Sequence, residues 1–487
     1  MAYRRSFSKP QTVKPGRVNR DWSQYQRDIF NDIANGVGNT QVDALAGTGK
    51  TSTIVEGFYY VPKNKVSLMC AFNKSIQTEL ESRAPSEVTV KTLHGLGYAA
   101  CRRAFPKIGQ PDTKKLDGYL RAEKGDDKDS YELRANLAKT ISLAKGYLSS
   151  SDKEVDEIID RHQVDTCDTP RQQFIQTVLK VMELTKRDTN RIDFDDMIWM
   201  PNVLGLRLDK YGMVFIDEAQ DLNSAQINLA LNSVSDSGRI ISVGDQNQAI
   251  YGFRGADSNA INNIVERLGS KRMPLSVTYR CAKSIVALAQ TLVPEIEAAP
   301  NAEEGNVQEV STNQMEHLVK PGDFILSRVN APLIKWCLNL LKARIPANIQ
   351  GRDVGQQLSS LIKKSKAESV DSFLGWLNEY ENMEVERLNA ARRDSSILSD
   401  KVECLRVLCE GAKTLDEVRD NIDHLFKDGD DNSRVMLSST HKAKGLERDR
   451  VFMLTNTYRI GKGIEENNLA YVAYTRARRE LFLVSGK

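Results

Sequence analysis

The segment Ala46-Gly47-Thr48-Gly49-Lys50-Thr51 follows an apolar stretch, Gln41–Leu45, and precedes a helix-compatible one. Backbone N–H groups in a glycine-bearing loop between strand and helix point at phosphate oxygens, and the helix N-terminus adds positive potential. Gly47 and Gly49 let the backbone come close, Lys50 would reach the β and γ phosphates, and Thr51 would set its hydroxyl on Mg2+. The full phosphate-loop pattern carries glycine at position 44, where this chain has Ala44. Taken alone, the segment also reads as a glycine turn with a chance Gly-Lys-Thr.

The carboxylates downstream change that balance. Met213-Val214-Phe215-Ile216 is an apolar strand that ends in Asp217, Glu218 and, after Ala219-Gln220, Asp221. Acids at the C-terminal end of a parallel strand face the crevice in which ligands bind. Asp217 would hold Mg2+, directly or through water, and Glu218 would orient and polarise the water that attacks a γ-phosphate. The order of the two elements points to hydrolysis of a nucleoside triphosphate. The HRD-type loop and DFG segment of protein kinases are absent.

These groups need a scaffold. Short apolar strands alternate with helical stretches, which predicts α/β units with parallel sheets. Buried strands are expected at Val66–Phe72, Val88–Thr92, Met213–Asp217 and Arg239–Gly244, and then at Phe324–Arg328, Val435–Ser439, Val451–Leu454 and Leu481–Val484. The two groups lie in different halves, so two α/β lobes are expected. Two polar, helix-rich regions interrupt them, at about 103–191 and 361–432, and read as helical insertions. Apolar stripes at Phe373, Leu374 and Leu377, and at Leu405 and Leu408, make the second a small packed helical unit. Its replacement by a flexible linker is expected to leave nucleoside triphosphate hydrolysis largely intact.

The 487 residues are enough for about three domains and a sizeable core. No run approaches the 18 apolar residues of a membrane span, and no apolar segment follows the basic N-terminus as in a secretory signal. Seven scattered cysteines, without a CxxC pair, suit a reduced, cytoplasmic protein lacking structural zinc. Net charge is only +3, but residues 1–20 carry six basic side chains and no acid, a tail able to touch phosphate backbones or simply to stay solvated.

At this point the chain resembles the superfamily 1A DNA helicases, the UvrD/Rep/PcrA family, and within it the F-box DNA helicase branch, although no F-box segment is visible. The resemblance spans most of residues 22–487 and rests on several motifs in the family's order. Gln26 looks like the upstream glutamine that reads adenine. Ala71-Phe72-Asn73-Lys74 and Thr92-Leu93-His94 resemble two motifs that contact the DNA strand, which implies that role for Asn73, Thr92 and His94. Ile192-Asp193-Phe194-Asp195-Asp196-Met197 is similar to the segment preceding the acidic strand. In Gly244–Ala256, the resemblance makes Gln248 the γ-phosphate sensor and turns Tyr251, Phe253 and Arg254 toward DNA. Thr278-Tyr279-Arg280 resembles the motif whose tyrosine stacks on adenine and whose arginine reaches the γ-phosphate. In Ser439–Glu447, His441 would touch DNA and Glu447 the ribose. In Tyr471–Arg478, Arg476 would be the arginine finger. Phe253 stands where many members carry Trp, and Leu45 replaces a common glycine.

The resemblance implies two RecA-like parallel-sheet lobes with two helical insertion subdomains. The expected division is a basic tail at 1–20, a first lobe at 21–102 and 192–272 with an insertion at 103–191, and a second lobe at 273–360 and 433–487 with an insertion at 361–432. It implies ATP and Mg2+ as cofactors and single-stranded, tailed or forked DNA as partner, with no membrane. The implied activity is an ATP-dependent DNA helicase moving 3′ to 5′. A single-strand translocase that strips bound proteins, or an ATP-switched nucleic-acid-binding protein, would use the same motifs. Replication, repair and recombination all employ such motors.

Overall fold

The computed structural model describes residues 21–486 apart from 127–129, 163, 168, 253–258, 391–394 and 429–431, and omits the side chains of 390 and 397. The basic tail, Phe253 and Arg254 therefore lie outside the described residues.

Six parallel strands build a first sheet: β1 (Thr40–Ala44), β2 (Ser67–Ala71), β3 (Val88–Thr92), β4 (Tyr211–Ile216), β5 (Val234–Gly244) and β6 (Lys271–Leu275), in the order β3-β2-β4-β5-β1-β6. A parallel two-stranded ribbon follows, β7 (Val277–Thr278) with β8 (Glu297–Ala298). The second sheet holds β9 (Asn306–Ser311), β10 (Phe324–Ser327), β11 (Ala347–Ile349), β12 (Val435–Ser439), β13 (Arg448–Leu454) and β14 (Ala477–Ser485), ordered β11-β12-β10-β13-β14-β9 and again parallel.

Period-two side-chain alternation explains why the central strands read as continuous apolar runs. Met69, Met213, Phe215, Ile241 and Val243 enter one core beside Ile29 and Ile54, while Leu68, Val214, Ile216 and Ile240 enter another beside Leu96 and Ile264. The second sheet repeats the device. Phe324, Leu326, Val451 and Met453 face one way, and Ile325, Leu437, Phe452 and Phe482 the other.

The two helix-rich regions differ. Helices Lys115–Lys124, Tyr131–Tyr147, Asp152–Arg161 and Arg171–Arg187 close around Leu137, Ile141, Phe174 and Val178, together with Met197 and Trp199 of helix Phe194–Val203. Helices Arg352–Ser365, Val370–Ala390, Ser396–Cys409 and Leu415–Leu425 have no core of their own. Phe373, Leu377, Val402 and Leu405 pack in one apolar body with Ile325, Leu333, Ile334, Val435 and Phe452 of the second lobe. Within it helix Ser396–Cys409 packs on helix Ala331–Lys342, which itself lies on the sheet, so linker replacement would uncover that helix, a dependence that the sequence reading of a small packed unit did not include. Among the described residues no helix is long and apolar enough to cross a membrane.

Candidate active site

Adjacent parallel strands end on the same edge of a sheet, so the order β4-β5-β1 brings three loops together. They carry the phosphate loop after β1, Asp217 and Glu218 after β4, and Asp245–Gln248 after β5.

The loop after β1 is held by its own atoms. Leu45 N–H donates to Leu275 O at 3.0 Å, and the Thr48 hydroxyl donates to Leu45 O at 2.9 Å. Gly47 and Gly49 take left-handed φ values of +73° and +80°. At Gly47 a side chain is also excluded by the second lobe, because a Cβ there would collide with Thr278 Oγ1 and lie 2.6 Å from Arg280 Cβ. Helix Lys50–Gly57 follows, with Lys50 and Thr51 in its first turn. Gln26, expected to read adenine, is buried behind this helix. Its amide donates to Thr53 Oγ1 at 2.9 Å, and its carbonyl accepts Ser23 N–H in a capping box.

Lys50 Nζ lies 3.8 Å from Glu218 Oε2. Glu218 has the left-handed φ of +50°, a costly conformation for a residue with a side chain, of the kind concentrated at functional sites. Burial pushes its carboxyl up, but Lys50, Lys444 and the Gln220 amide outweigh burial and hold it below its ordinary value. Asp217 goes the other way, pushed up to about 7 by burial and by neighbouring Glu218. A buried carboxylate beside others of its own sign calls for a cation, and Thr51 with Asp217 supplies the hard oxygen ligands Mg2+ prefers.

Gln248 Nε2 donates to Asp245 Oδ2 at 2.7 Å. Gln220 joins this turn to the acidic one, since its carbonyl accepts Asp245 N–H at 3.0 Å and its amide donates to Glu218.

The second lobe covers these loops. Tyr279 N–H donates to Gly47 O at 2.9 Å, while the Tyr279 ring stays half exposed. Arg280 pairs with Glu447 and donates to Thr475 O at 3.2 Å. Arg478 lies 3.7 Å from the same glutamate. Arg476 is fully buried and spread over its own lobe, donating to Val472 O, Leu446 O and Thr475 Oγ1. Burial and the Arg280 charge push it down to about 9. Two groups without a role from sequence tie the lobes together. Lys444 donates to both oxygens of Asp221, at 2.9 and 2.6 Å, and to Gln248 O at 2.8 Å. The Tyr471 hydroxyl accepts the Ala46 N–H at 2.9 Å. Neither contact has a sequence signal, because its partners lie 223 and 425 positions apart.

The expected strand-contacting residues form two groups. Asn73 and Thr92, at the ends of β2 and β3, cap the next helices by accepting Ile76 N–H and Gly95 N–H. His94 sits edge-on to the exposed Phe194, with ring centroids 6.3 Å apart. At the lobe junction, Tyr251 donates to His441 O at 3.1 Å, and Lys444 Nζ lies 5.1 Å from the Tyr251 ring centroid. The pairs Tyr251–His441 and Gln248–Lys444 thus join one short segment of the first lobe to the second lobe at two points.

Comparison with known proteins agrees with this geometry. The family model for the UvrD/REP helicase N-terminal domain matches residues 24–268, and that for the UvrD-like helicase C-terminal domain matches 363–487. F-box DNA helicase protein 1 of Schizosaccharomyces pombe is 25% identical over 519 aligned residues, covering 91% of this chain and 55% of that protein. F-box DNA helicase 1 of Gallus gallus is 25% identical, covering 91% of the chain and 47% of that protein. DNA helicase II of Escherichia coli is 24% identical over 55% of the chain and 41% of its own length. The chain spans about half the length of the curated relatives it matches.

Proposed function

This chain belongs to the UvrD/REP helicase family, and we propose that it is an ATP-dependent DNA helicase that moves 3′ to 5′ along single-stranded DNA. One observation carries the ATP-driven part of the reading: the phosphate loop and carboxylates of the first lobe meet Arg280, Lys444 and Tyr471 of the second; the direction follows from the family resemblance alone.

ATP would lay its phosphates on the amides of residues 47–51 and on Lys50, the Ala46 N–H being taken by the Tyr471 hydroxyl, with its adenine against the half-exposed Tyr279 ring. Thr51 and Asp217 would hold Mg2+, which neutralises charge building on the β and γ oxygens. Glu218, kept ionised by Lys50 and Lys444, orients the attacking water and accepts its proton. Gln248 senses the γ-phosphate, and Arg280 and Arg476 add positive charge from the other side. Arg476 would have to leave its own lobe's carbonyls to touch phosphate, so Arg280 is the nearer candidate for direct contact. A ligand that gains contacts from both lobes holds them closed, and its hydrolysis lets them part. Tyr251 and His441 pass that movement to the strand, with Asn73, Thr92 and His94 as the second grip and Glu447 on the ribose.

ATP turnover with and without a single-stranded oligonucleotide tests the proposal, followed by duplexes with 3′ or 5′ tails. Turnover should rise with DNA, and unwinding should start from a 3′ tail. Lys50→Ala should abolish turnover, whereas Glu218→Gln should bind ATP and fail to hydrolyse it. Turnover indifferent to DNA would leave an ATP-switched binding protein as the better reading. Protein displacement without strand separation would favour a translocase.

A further inference from the structure

The helix Ile464–Tyr474 of the second lobe sets two polar side chains, one turn apart, against the turn that carries Gln248. Asn468 Nδ2 donates to Gln246 O at 3.3 Å and to Ala249 O at 3.2 Å. The Tyr471 hydroxyl does more, because it both accepts and donates. It takes the Ala46 N–H of the phosphate loop at 2.9 Å and gives its proton to Asp245 Oδ2 at 3.4 Å. That same carboxylate oxygen receives Gln248 Nε2 at 2.7 Å, while Oδ1 receives Asn247 N–H at 3.0 Å.

We infer that Tyr471 is a positioning residue, a relay that fixes the Gln248 amide through Asp245 only while the two lobes are together. The inference rests on the proposed ATP-hydrolysing site and adds a regulator to it. Ala46, Asp245 and Tyr471 are all buried, so none can exchange its partner for water while the lobes stay in contact. While the lobes touch, a buried amide or carboxylate that lost its partner would bear the full cost of desolvation, so these bonds hold as long as the cleft is closed. Burial also keeps the Tyr471 phenol protonated, so it remains a donor at neutral pH. Parting the lobes removes Tyr471 and Asn468 together. Asp245 then keeps Gln248 and Asn247 without the group that locks its orientation to the phosphate loop. Closure is thereby reported to the γ-phosphate sensor by a side chain that need not touch the nucleotide.

Tyr471→Phe keeps the buried ring and deletes only the relay. Basal ATP turnover should show kcat about tenfold lower, with the nucleotide KM within about twofold, the pattern of a group that acts in the transition state rather than in binding. Asp245→Asn should give the same split. The double variant should fall little below Asp245→Asn alone, because both substitutions cut one chain of bonds. Unchanged kcat in Tyr471→Phe, a rise in KM without loss of kcat, or full additivity in the double variant would overturn the inference. If Tyr471→Phe fails to fold, Asp245→Asn decides it through the same kcat-against-KM split. All these readings are made without nucleic acid, whereas stimulation by single-stranded DNA tests the motor, so the two ideas fail separately.

Discussion

The two helix-rich segments look alike in sequence and are built differently. The first, between β3 and β4, closes its own core around Phe174 and Leu137 and is pinned by buried charges. Lys115 Nζ donates to Asp196 Oδ2 at 2.6 Å and to the carbonyls of Thr185, Asp188 and Arg191, while Lys145 Nζ lies 2.7 Å from Asp196 Oδ1. The second, between β11 and β12, spends its apolar residues on the second lobe, chiefly on helix Ala331–Lys342. Asp400 of that segment accepts the N–H groups of Asn330 and Ala331, capping the lobe's own helix Ala331–Lys342. One segment is a unit attached to a lobe, and the other is the cover of a lobe. Where they meet, Arg387 lies 2.8 Å from Glu132 and 2.9 Å from Asp165. Whether an inserted stretch can be separated depends on where its apolar face goes, not on its length.

Replacing residues 361–432 by a linker is the severest test of this contrast. Uncovering helix Ala331–Lys342 should destabilise the second lobe and sharply reduce ATP turnover, seen as lost exchange protection in that helix and in the strands it covers, β10 and β12. A folded, active product would end the distinction.

Single substitutions sharpen it. Asp196→Ala leaves buried Lys115 without a carboxylate and Lys145 with only Asp193 at 3.6 Å, and should cost about 3–5 kcal/mol. Phe373→Ala should cost about the same, ~3–5 kcal/mol, through its cavity. The damage should fall in different places, which amide exchange reads directly. Asp196→Ala should speed exchange in helices 115–203, and Phe373→Ala should speed it in β10 and β12.

Asp400→Ala should cost only about 1 kcal/mol, the usual worth of a helix cap, and loosen helix Ala331–Lys342. A loss confined to helix Ser396–Cys409, with Ala331–Lys342 unchanged, would show that the cap does not bind the segment to the lobe.

The smallest effect is a pH response of opposite sign. Burial, with Lys139 and Arg161 nearby, pushes His162 in the first segment down to about 4, so the unfolded chain takes up its proton first. That contribution to stability is complete above about 6.5 and is lost as pH falls toward 4. In the second lobe, burial pushes Asp323 up to about 6, so stability there is lost as pH rises from about 4 through 6. Lowering the pH from 7 to 5.5 should therefore soften the first segment while slightly firming the second lobe. Amide exchange in the two regions reports them separately, and shifts of the same sign would contradict the assignment.

Much of the site was legible because its signals are local. A strand, a glycine loop and Gly-Lys-Thr occur within a dozen residues, and Asp217-Glu218 ends an apolar run. The central strands were legible because both faces are buried, which makes them unbroken apolar runs. Sequence reading missed β6, β9 and β11, which are edges of the two large sheets, and the short strands β7 and β8 of the two-stranded ribbon. Edge strands tolerate polar residues and proline, as in Lys271-Arg272-Met273-Pro274-Leu275, and so lose the apolar signature.

The sequence by itself determined the chemistry each loop carries, because strand period, glycine and the spacing of charges act over a few residues. Tertiary structure alone decided who meets whom across the cleft. It set Tyr471 on Ala46, locked Lys444 to Asp221, turned Arg476 onto its own lobe, and packed residues 361–432 against the second lobe's helix Ala331–Lys342. Apolar periodicity says that a face must be buried. It does not say against what, and partners hundreds of positions apart are chosen by the packing of whole sheets.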